Sequence, residues 1–348
     1  MERIPKATER VAGLDSIRFI CALWVFFGHG AQAAFPSPFA EGSRADFVLR
    51  GLRGNLFAGE AAVIVFFVVS GFCIHYPFAG SDKRPRLKEF YARRFVRLLI
   101  PVMVAIPLSA LLGVYLSSFH ESILWSLLAE LIYYLCYPLL RAVQLRAGSW
   151  HQMIIASFIV ALGVVATNPS AGNYPSYGPA LNWLVGLPCW LLGCLLAESI
   201  RRGLIPNVST ITIWVWRTAI LSAATVCSLL RFHSPIGYPW TLNFFAIGVA
   251  FWLQREIWLR HRTKARAGLE WAGSWSYSLY LMHGAAGVLF FALFPSMQGS
   301  VFAWMSMVLF VFAVCYSFHA LVERPSHAIA RRTAENFRPA KGAALAPP

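Results

Sequence analysis

The sequence predicts an all-α, polytopic integral-membrane bundle of about ten transmembrane helices. Three observations carry that expectation. Hydrophobic residues form 58% of the 348 residues and charged residues only 13%, about half the roughly 25% charge of a soluble globular domain. Apolar windows long enough to cross a bilayer recur ten times along the chain. Lysine and arginine gather in alternate connecting segments. This composition excludes soluble, disordered, fibrous and disulfide-scaffold classes.

The windows lie near 14–35, 58–79, 96–117, 122–142, 151–167, 180–198, 210–230, 240–258, 274–294 and 300–321. One domain over 1–348 is expected, with a core of about 12–325 and a basic, flexible cytoplasmic tail over 326–348. No internal repeat or low-complexity tract is visible. Arg3, Lys6 and Arg10 precede the first window, and 24 of the 30 Lys and Arg residues fall on that side of the windows. The other side holds Arg44, Arg50, Arg53 and Arg231, while Arg18 and Arg217 lie within windows. This bias puts both termini in the cytoplasm. Ala31-Gln32-Ala33 also resembles a signal-peptide cleavage site. Asp15 and Arg18 interrupt the approach to the apolar run, and cleavage would invert the charge bias, so the segment is read as the first helix.

The net charge of +15 follows from basic cytoplasmic loops. No basic block is interleaved with aromatics on a soluble module, so no nucleic-acid partner is expected. The seven cysteines sit nearly all in apolar runs and form no CxxC pair, so neither a metal site nor a disulfide framework is expected. The outer segment 36–57 contains Phe47-Val48-Leu49-Arg50-Gly51-Leu52-Arg53, whose apolar residues and arginines suit the headgroup level of the membrane. Its arginines either meet an anionic acceptor or lipid headgroup, or belong to a solvated loop.

Ionisable groups inside a membrane window are costly and mark candidate sites. The first window holds Asp15, Arg18 and His29. On a regular helix Arg18 and His29 differ by about 20° around the axis and about 16 Å along it, so they share a face. Cys21, Ala22 and Val25 lie between them on that face. Together they would line a narrow track from a cation to a deeper imidazole, with Asp15 holding Arg18 at i, i+3. The plainer alternative has Arg18 reaching the inner headgroups and His29 packed as a core histidine.

The basic run 83–97 places Arg93, Arg94 and Arg97 as candidates for binding donor phosphates. Arg94 and Arg97 share one helical face; plain positive-inside anchoring is the alternative. Glu130 is the one acid in its window and Tyr134 follows one turn later. It either orients His29, pairs with an arginine, or makes a helix-packing hydrogen bond. Ser70 beside Gly71 suits close helix approach or donation to an acyl oxygen. His283, with Tyr277 and Tyr280, offers a second polar wall or a core histidine. His75, His120, His151, His233 and His261 carry no distinct signal.

Several of these segments fall in the order of one family. Gly13–His29 contains an Arg, ten residues, then a His. Further along come Val63–Phe72 (VIVFFVVSGF), Arg94–Arg97 (RFVR), Trp125–Pro138 (WSLLAELIYYLCYP), Ser276–His283 (SYSLYLMH) and Glu323–Pro325 (ERP). In series they resemble the membrane acyltransferase 3 family over nearly the whole chain. The resemblance implies a multi-pass enzyme of the bacterial inner membrane. It would move an acyl group from cytoplasmic acyl-CoA to a hydroxyl of a glycan or lipid-linked acceptor. Acetyl-CoA is the expected co-substrate, membrane lipids are the expected surroundings, and no tightly bound cofactor is implied. His29 matches the family's catalytic histidine and Arg18 its partner arginine. The second acid of the family's Glu-Glu pair is Leu131 here, followed by Ile132, so Glu130 stands without that neighbour.

The chemistry suits these residues. O-acyl transfer needs a base beside the acceptor hydroxyl, and an imidazole with an ordinary pKa of about 6.5 fills that role near neutral pH. An acyl-histidine intermediate is the variant. Two other classes stay open at this point. A transporter or flippase of lipid-linked sugars would carry repeats or broken helices in matching halves. An intramembrane serine hydrolase would use Ser70 with His283, though no GxSxG elbow surrounds Ser70.

Overall fold

The computed structural model describes residues 11–116, 123–146, 148–204, 206, 208–263 and 265–337. Arg3, Lys6, Arg10 and His120, named above, lie outside the described residues. Among the described residues every regular element is helical. Each of the ten expected windows is occupied by a long helix: α1 (Leu14–Phe26), α3 (Gly59–His75), α4 (Leu87–Ala110), α5 (Leu124–Arg146), α6 (Trp150–Thr167), α7 (Gly178–Arg201), α8 (Thr210–His233), α9 (Tyr238–Arg262), α11 (Ser276–Leu293) and α12 (Val301–Phe318). Three further helices lie outside those windows: α2 (Arg44–Leu56), α10 (Ala267–Gly273) and α13 (Arg324–Glu335).

Eight segments of the described chain are long and apolar enough to cross a membrane; α4 and α9 are outside that set. Both are long enough, at 24 and 25 residues, but carry charge: Lys88, Arg93, Arg94 and Arg97 on α4, Arg255, Arg260 and Arg262 on α9. The outer surface is apolar. Leu139, Ile159, Ile211 and Leu309 are 65–77% exposed, a belt that only lipid covers favourably.

The interior is built on α3 and α7. α3 is apolar on every side and almost wholly buried, as expected of a helix surrounded by others. It meets α7 so closely that a methyl group on Gly71 would fall 1.9 Å from the Trp190 carbonyl oxygen, and one on Gly193 2.1 Å from that of Val68. Small residues at such crossings let the backbones approach. α1, α5 and α9 also pack on α3, and α1 contacts α10 and α11. Ion pairs tie the ends: Arg217 of α8 meets Glu256 of α9 at 2.5 Å, and Arg260 joins at 3.3 Å.

Three expectations are corrected. The first window is not one regular helix to residue 35. α1 ends at Phe26, and a π-type turn, Phe27–Ala31, follows, with His29 at φ −89°, ψ 30° and Gly30 at φ 108°. Gly30 permits a conformation that a Cβ would oppose. Second, most of the stretch 36–57 is not a loop but the helix α2 (Arg44–Leu56), and two of its arginines are engaged within the chain. Arg50 pairs with Asp46 at 2.9 Å, and Arg53 donates to the Phe35 carbonyl at 3.1 Å. Third, the segment expected to be a flexible tail from 326 begins as α13, which packs along α4. Its buried face is Ser326, Ala330 and Ala334, at the i, i+4, i+8 spacing of one helical stripe.

Candidate functional site: two cavities on either side of one helical turn

The start of α4, the start of α1, α10 and α13 meet at the basic end of the bundle. They enclose a cavity of about 780 Å³ that also reaches α3, α5 and α11. Five arginines line it, Arg18, Arg94, Arg97, Arg324 and Arg331, against three carboxylates, Asp15, Glu130 and Glu323.

Each carboxylate already has partners. Asp15 Oδ1 accepts from Arg18 Nη1 at 3.0 Å, the i, i+3 pair expected. Glu130 Oε1 accepts from Ser70 Oγ at 2.6 Å and from the Tyr134 hydroxyl, one turn away on α5. Glu323 Oε2 accepts from Ser278 Oγ at 2.6 Å and lies 2.9 Å from His319 Nδ1. Arg18 also donates to Cys73 Sγ at 3.3 Å. The other four arginines differ. Arg94, Arg97, Arg324 and Arg331 form no ion pair or hydrogen bond among the described residues. A cavity at the membrane with that much uncompensated positive charge suits a polyanion.

The second cavity is smaller, about 240 Å³, and lies between the π-type turn and α11 and α12. His29, Gly30, Ala31 and Ala34 form one wall, and His283, Gly284, Gly287 and Phe291 another. His29 is exposed at its mouth and its Nδ1 lies 3.2 Å from His283 Nε2. The turn is pinned by Trp304, whose Nε1 donates to the Ala31 carbonyl at 2.8 Å.

The expected catalytic trio is therefore divided. Arg18 and Glu130 share the first cavity, with Asp15, Ser70, Tyr134 and Tyr277; His29 and His283 share the second. The shared-face arithmetic fails because the helix changes pitch before His29. The open track is also absent: Cys21, Ala22 and Val25 are buried, at 7%, 0% and 0% exposure, and line neither cavity. Glu130 orients neither His29 nor an arginine; Ser70 and Tyr134 hold it. Ser70 gives its proton to Glu130 and receives one from Trp190 Nε1 at 3.3 Å, while His283 lies in the other cavity, so the serine-hydrolase pairing of Ser70 with His283 is lost. Arg93 leaves the expected donor set. It does not line the cavity and pairs with Glu89 at 2.8 Å.

The separation between the cavities is thin. On α11, Tyr280 lines the first and His283 the second, about 4.5 Å apart along the axis. Phe66, 5.7 Å from the Tyr280 ring, and Phe26, 6.2 Å from the His283 ring, stand at the same level. Tyr280 is held by Ser126 Oγ at 2.7 Å, and Tyr277 donates to the Leu98 carbonyl at 3.0 Å.

Sequence reasoning missed Arg324, Arg331, His319 and His327, all lining the first cavity. His319, Glu323 and His327 follow i, i+4, i+8 spacing, the legible signal for one polar face. It also missed His75, fully buried between the Tyr137 hydroxyl at 2.9 Å and Glu198 Oε1 at 2.8 Å. That cluster includes Arg141, which donates to carbonyls of Phe78, Ser81 and Lys83 and so fixes the connection before α4.

Among the described residues no His, Cys, Asp and Glu cluster could hold a metal ion. No curated protein and no solved structure matches the chain. A family model described as an acyltransferase domain matches residues 11–320, which takes in both cavities except Glu323 and the residues of α13. The chain belongs to the acyltransferase 3 family of membrane acyltransferases.

Proposed function

We propose that this protein is a membrane O-acyltransferase that takes an acetyl group from cytoplasmic acetyl-CoA. The acceptor is a hydroxyl of a glycan or lipid-linked saccharide on the far side of a bacterial inner membrane. The observation that carries this reading is the surplus of unpaired arginines in the larger cavity. CoA bears three phosphate groups, and Arg94, Arg97, Arg324 and Arg331 offer forked cationic donors for them. With that cavity facing the cytoplasm, the pantetheine arm points along Arg18 and Tyr280 toward the smaller cavity. The thioester then has one helical turn to cross to reach His29.

In the reaction His29 takes the proton of the acceptor hydroxyl as that oxygen attacks the thioester carbonyl. The carbon–sulfur bond breaks, and the proton passes to the departing CoA thiolate. In the two-step variant the imidazole nitrogen attacks first, CoA leaves, and the acyl-imidazole passes its acetyl group to the hydroxyl. Arg18, anchored by Asp15 and beside Cys73, steers the donor's thioester end. A transporter or flippase requires no acyl-CoA, so the co-substrate requirement separates the classes.

The test uses host membranes containing the full chain and radiolabelled acetyl-CoA. Transfer of label to extractable glycan or lipid is expected, and His29→Ala is expected to lower it by at least about 100-fold while acetyl-CoA binding persists. Label transfer at the normal rate by His29→Ala overturns the role of His29. Transport of a lipid-linked sugar with no use of acetyl-CoA overturns the enzyme.

A further inference from the structure

We infer that His283 is a positioning residue that fixes the tautomer of His29, leaving Nε2 of His29 as the reactive nitrogen. The inference rests on the reading of His29 as base or acyl carrier and adds the atom that acts.

The proton positions follow from what each partner can do. His283 Nδ1 lies 3.1 Å from the Leu279 carbonyl oxygen and 2.9 Å from that of Tyr280. Carbonyls only accept, so His283 Nδ1 carries a hydrogen. In a neutral ring Nε2 is then a lone pair and can only accept. That lone pair is 3.2 Å from His29 Nδ1, and the contact is a hydrogen bond only when His29 Nδ1 donates. His29 Nε2 is therefore left with the free lone pair. Two backbone carbonyls thus set one ring, and that ring sets the next.

His283 is suited to this task. It is 6% exposed and its ring is packed edge-on against Phe26. A flipped ring would turn a carbon toward the two carbonyls and forfeit their hydrogen bonds. His29 is the opposite case, exposed on a turn that Gly30 allows to bend. Beside the Val25 carbonyl, His283 supplies the side-chain contact that selects one nitrogen of this ring over the other. Nε2 is also the nitrogen farther from the backbone, the one able to reach into the cleft beside Gly284 and Gly287. When Nε2 takes a proton or an acetyl group, the Nδ1–H bond to His283 becomes charge-assisted and strengthens. The stabilisation is largest where positive charge develops, which is the form that lowers a barrier.

The experiment compares wild type, His283→Ala and His283→Gln in host membranes with radiolabelled acetyl-CoA. It is read beside the ¹⁵N spectrum of histidine-labelled full-length protein in nanodiscs. A glutamine amide oxygen sits near the position of the histidine Nε2 and accepts the same hydrogen bond. His283→Ala is expected to lower kcat by about 100-fold with the KM for acetyl-CoA within about two-fold. His283→Gln is expected to recover most of that loss. The spectrum is expected to place the proton of His29 on Nδ1 in wild type and on both nitrogens in His283→Ala. A proton on His29 Nε2 in wild type overturns the inference even where the alanine variant does not fold, and so does an undiminished kcat in His283→Ala. Should His29→Ala stay active, the reading of His29 as base or carrier fails, while the spectrum still decides the tautomer on its own.

Discussion

At the scale of single residues, neighbours in sequence have different work. Arg93, Arg94 and Arg97 look alike in the basic run, yet Arg93 closes an i, i+4 pair with Glu89 while the other two face the cavity unpaired. An arginine already neutralised by its own helix has little left for a phosphate. Losing a charge-assisted contact to an anion costs about 1.5–3 kcal/mol, roughly 10–100-fold in affinity. Arg97→Ala is therefore expected to raise the KM for acetyl-CoA by that factor with kcat nearly unchanged, and Arg93→Ala to leave both alone. Steady-state kinetics at fixed ionic strength measures the difference; equal effects of the two substitutions would remove Arg97 from the donor site. The sequence held the clue, since Glu89 lies four residues before Arg93. It also held Gly28 and Gly30 around His29, the residues of the turn that defeats regular-helix arithmetic at that point. Glu130 and Tyr134 were legible as an i, i+4 pair. The His29–His283 contact was not, because 254 residues separate the two rings and no helical period relates them.

At the scale of elements, the ten apolar windows marked the ten long helices because lipid and core both select apolar residues. What the windows could not give was where each helix meets its neighbours. α4 begins at Leu87, well before its window, and so carries the basic run onto a cavity wall rather than leaving it in a loop. α13 was hidden by its polarity: its average composition reads as tail, and its stripe of small residues gains meaning only against α4. The α3–α7 crossing connects such packing to chemistry. Gly71 is next to Ser70, and Trp190, whose carbonyl crowds Gly71, also donates to Ser70 from its ring. A methyl group at residue 71 has backbone rather than a flexible side chain in its way, so the helices must part. Overpacking of this kind costs on the order of 1–3 kcal/mol. Gly71→Ala is expected to lower the melting temperature in detergent and to displace Ser70 from Glu130, reducing acetyl transfer together with stability. Gly284→Ala, on the wall of the second cavity with no atom within 4 Å of the added methyl group, is expected to leave the melting temperature unchanged. A Gly71→Ala protein that melts like wild type would show that the crossing yields more easily than its distances imply.

For the whole molecule, the question is which cavity faces which compartment. In the orientation proposed above the basic end, which holds the arginine-lined cavity, α10 and α13, faces the cytoplasm, as the charge bias predicts. His29 then lies toward the opposite side, beyond the level of Tyr280 and Phe66. Under the proposed function, an anion site on one side and the imidazole across a thin partition would let donor and acceptor arrive from different compartments and meet at one turn of α11. Cys73 reports on this directly. It lines the arginine cavity beside Arg18 and is only partly buried, whereas Cys21, Cys189, Cys194, Cys227 and Cys315 are buried. A membrane-impermeant maleimide is expected to label Cys73 in inside-out vesicles and not in intact cells, with a Cys73→Ser control to subtract labelling of Cys136. Acetyl-CoA, filling the cavity, is expected to slow that labelling in proportion to its occupancy, and Arg97→Ala to raise the concentration needed. Labelling confined to the outer face would invert the whole orientation and put the arginine cavity out of reach of a cytoplasmic donor. Labelling from the inner face that acetyl-CoA leaves untouched would keep the orientation but give the arginines some other anion to hold.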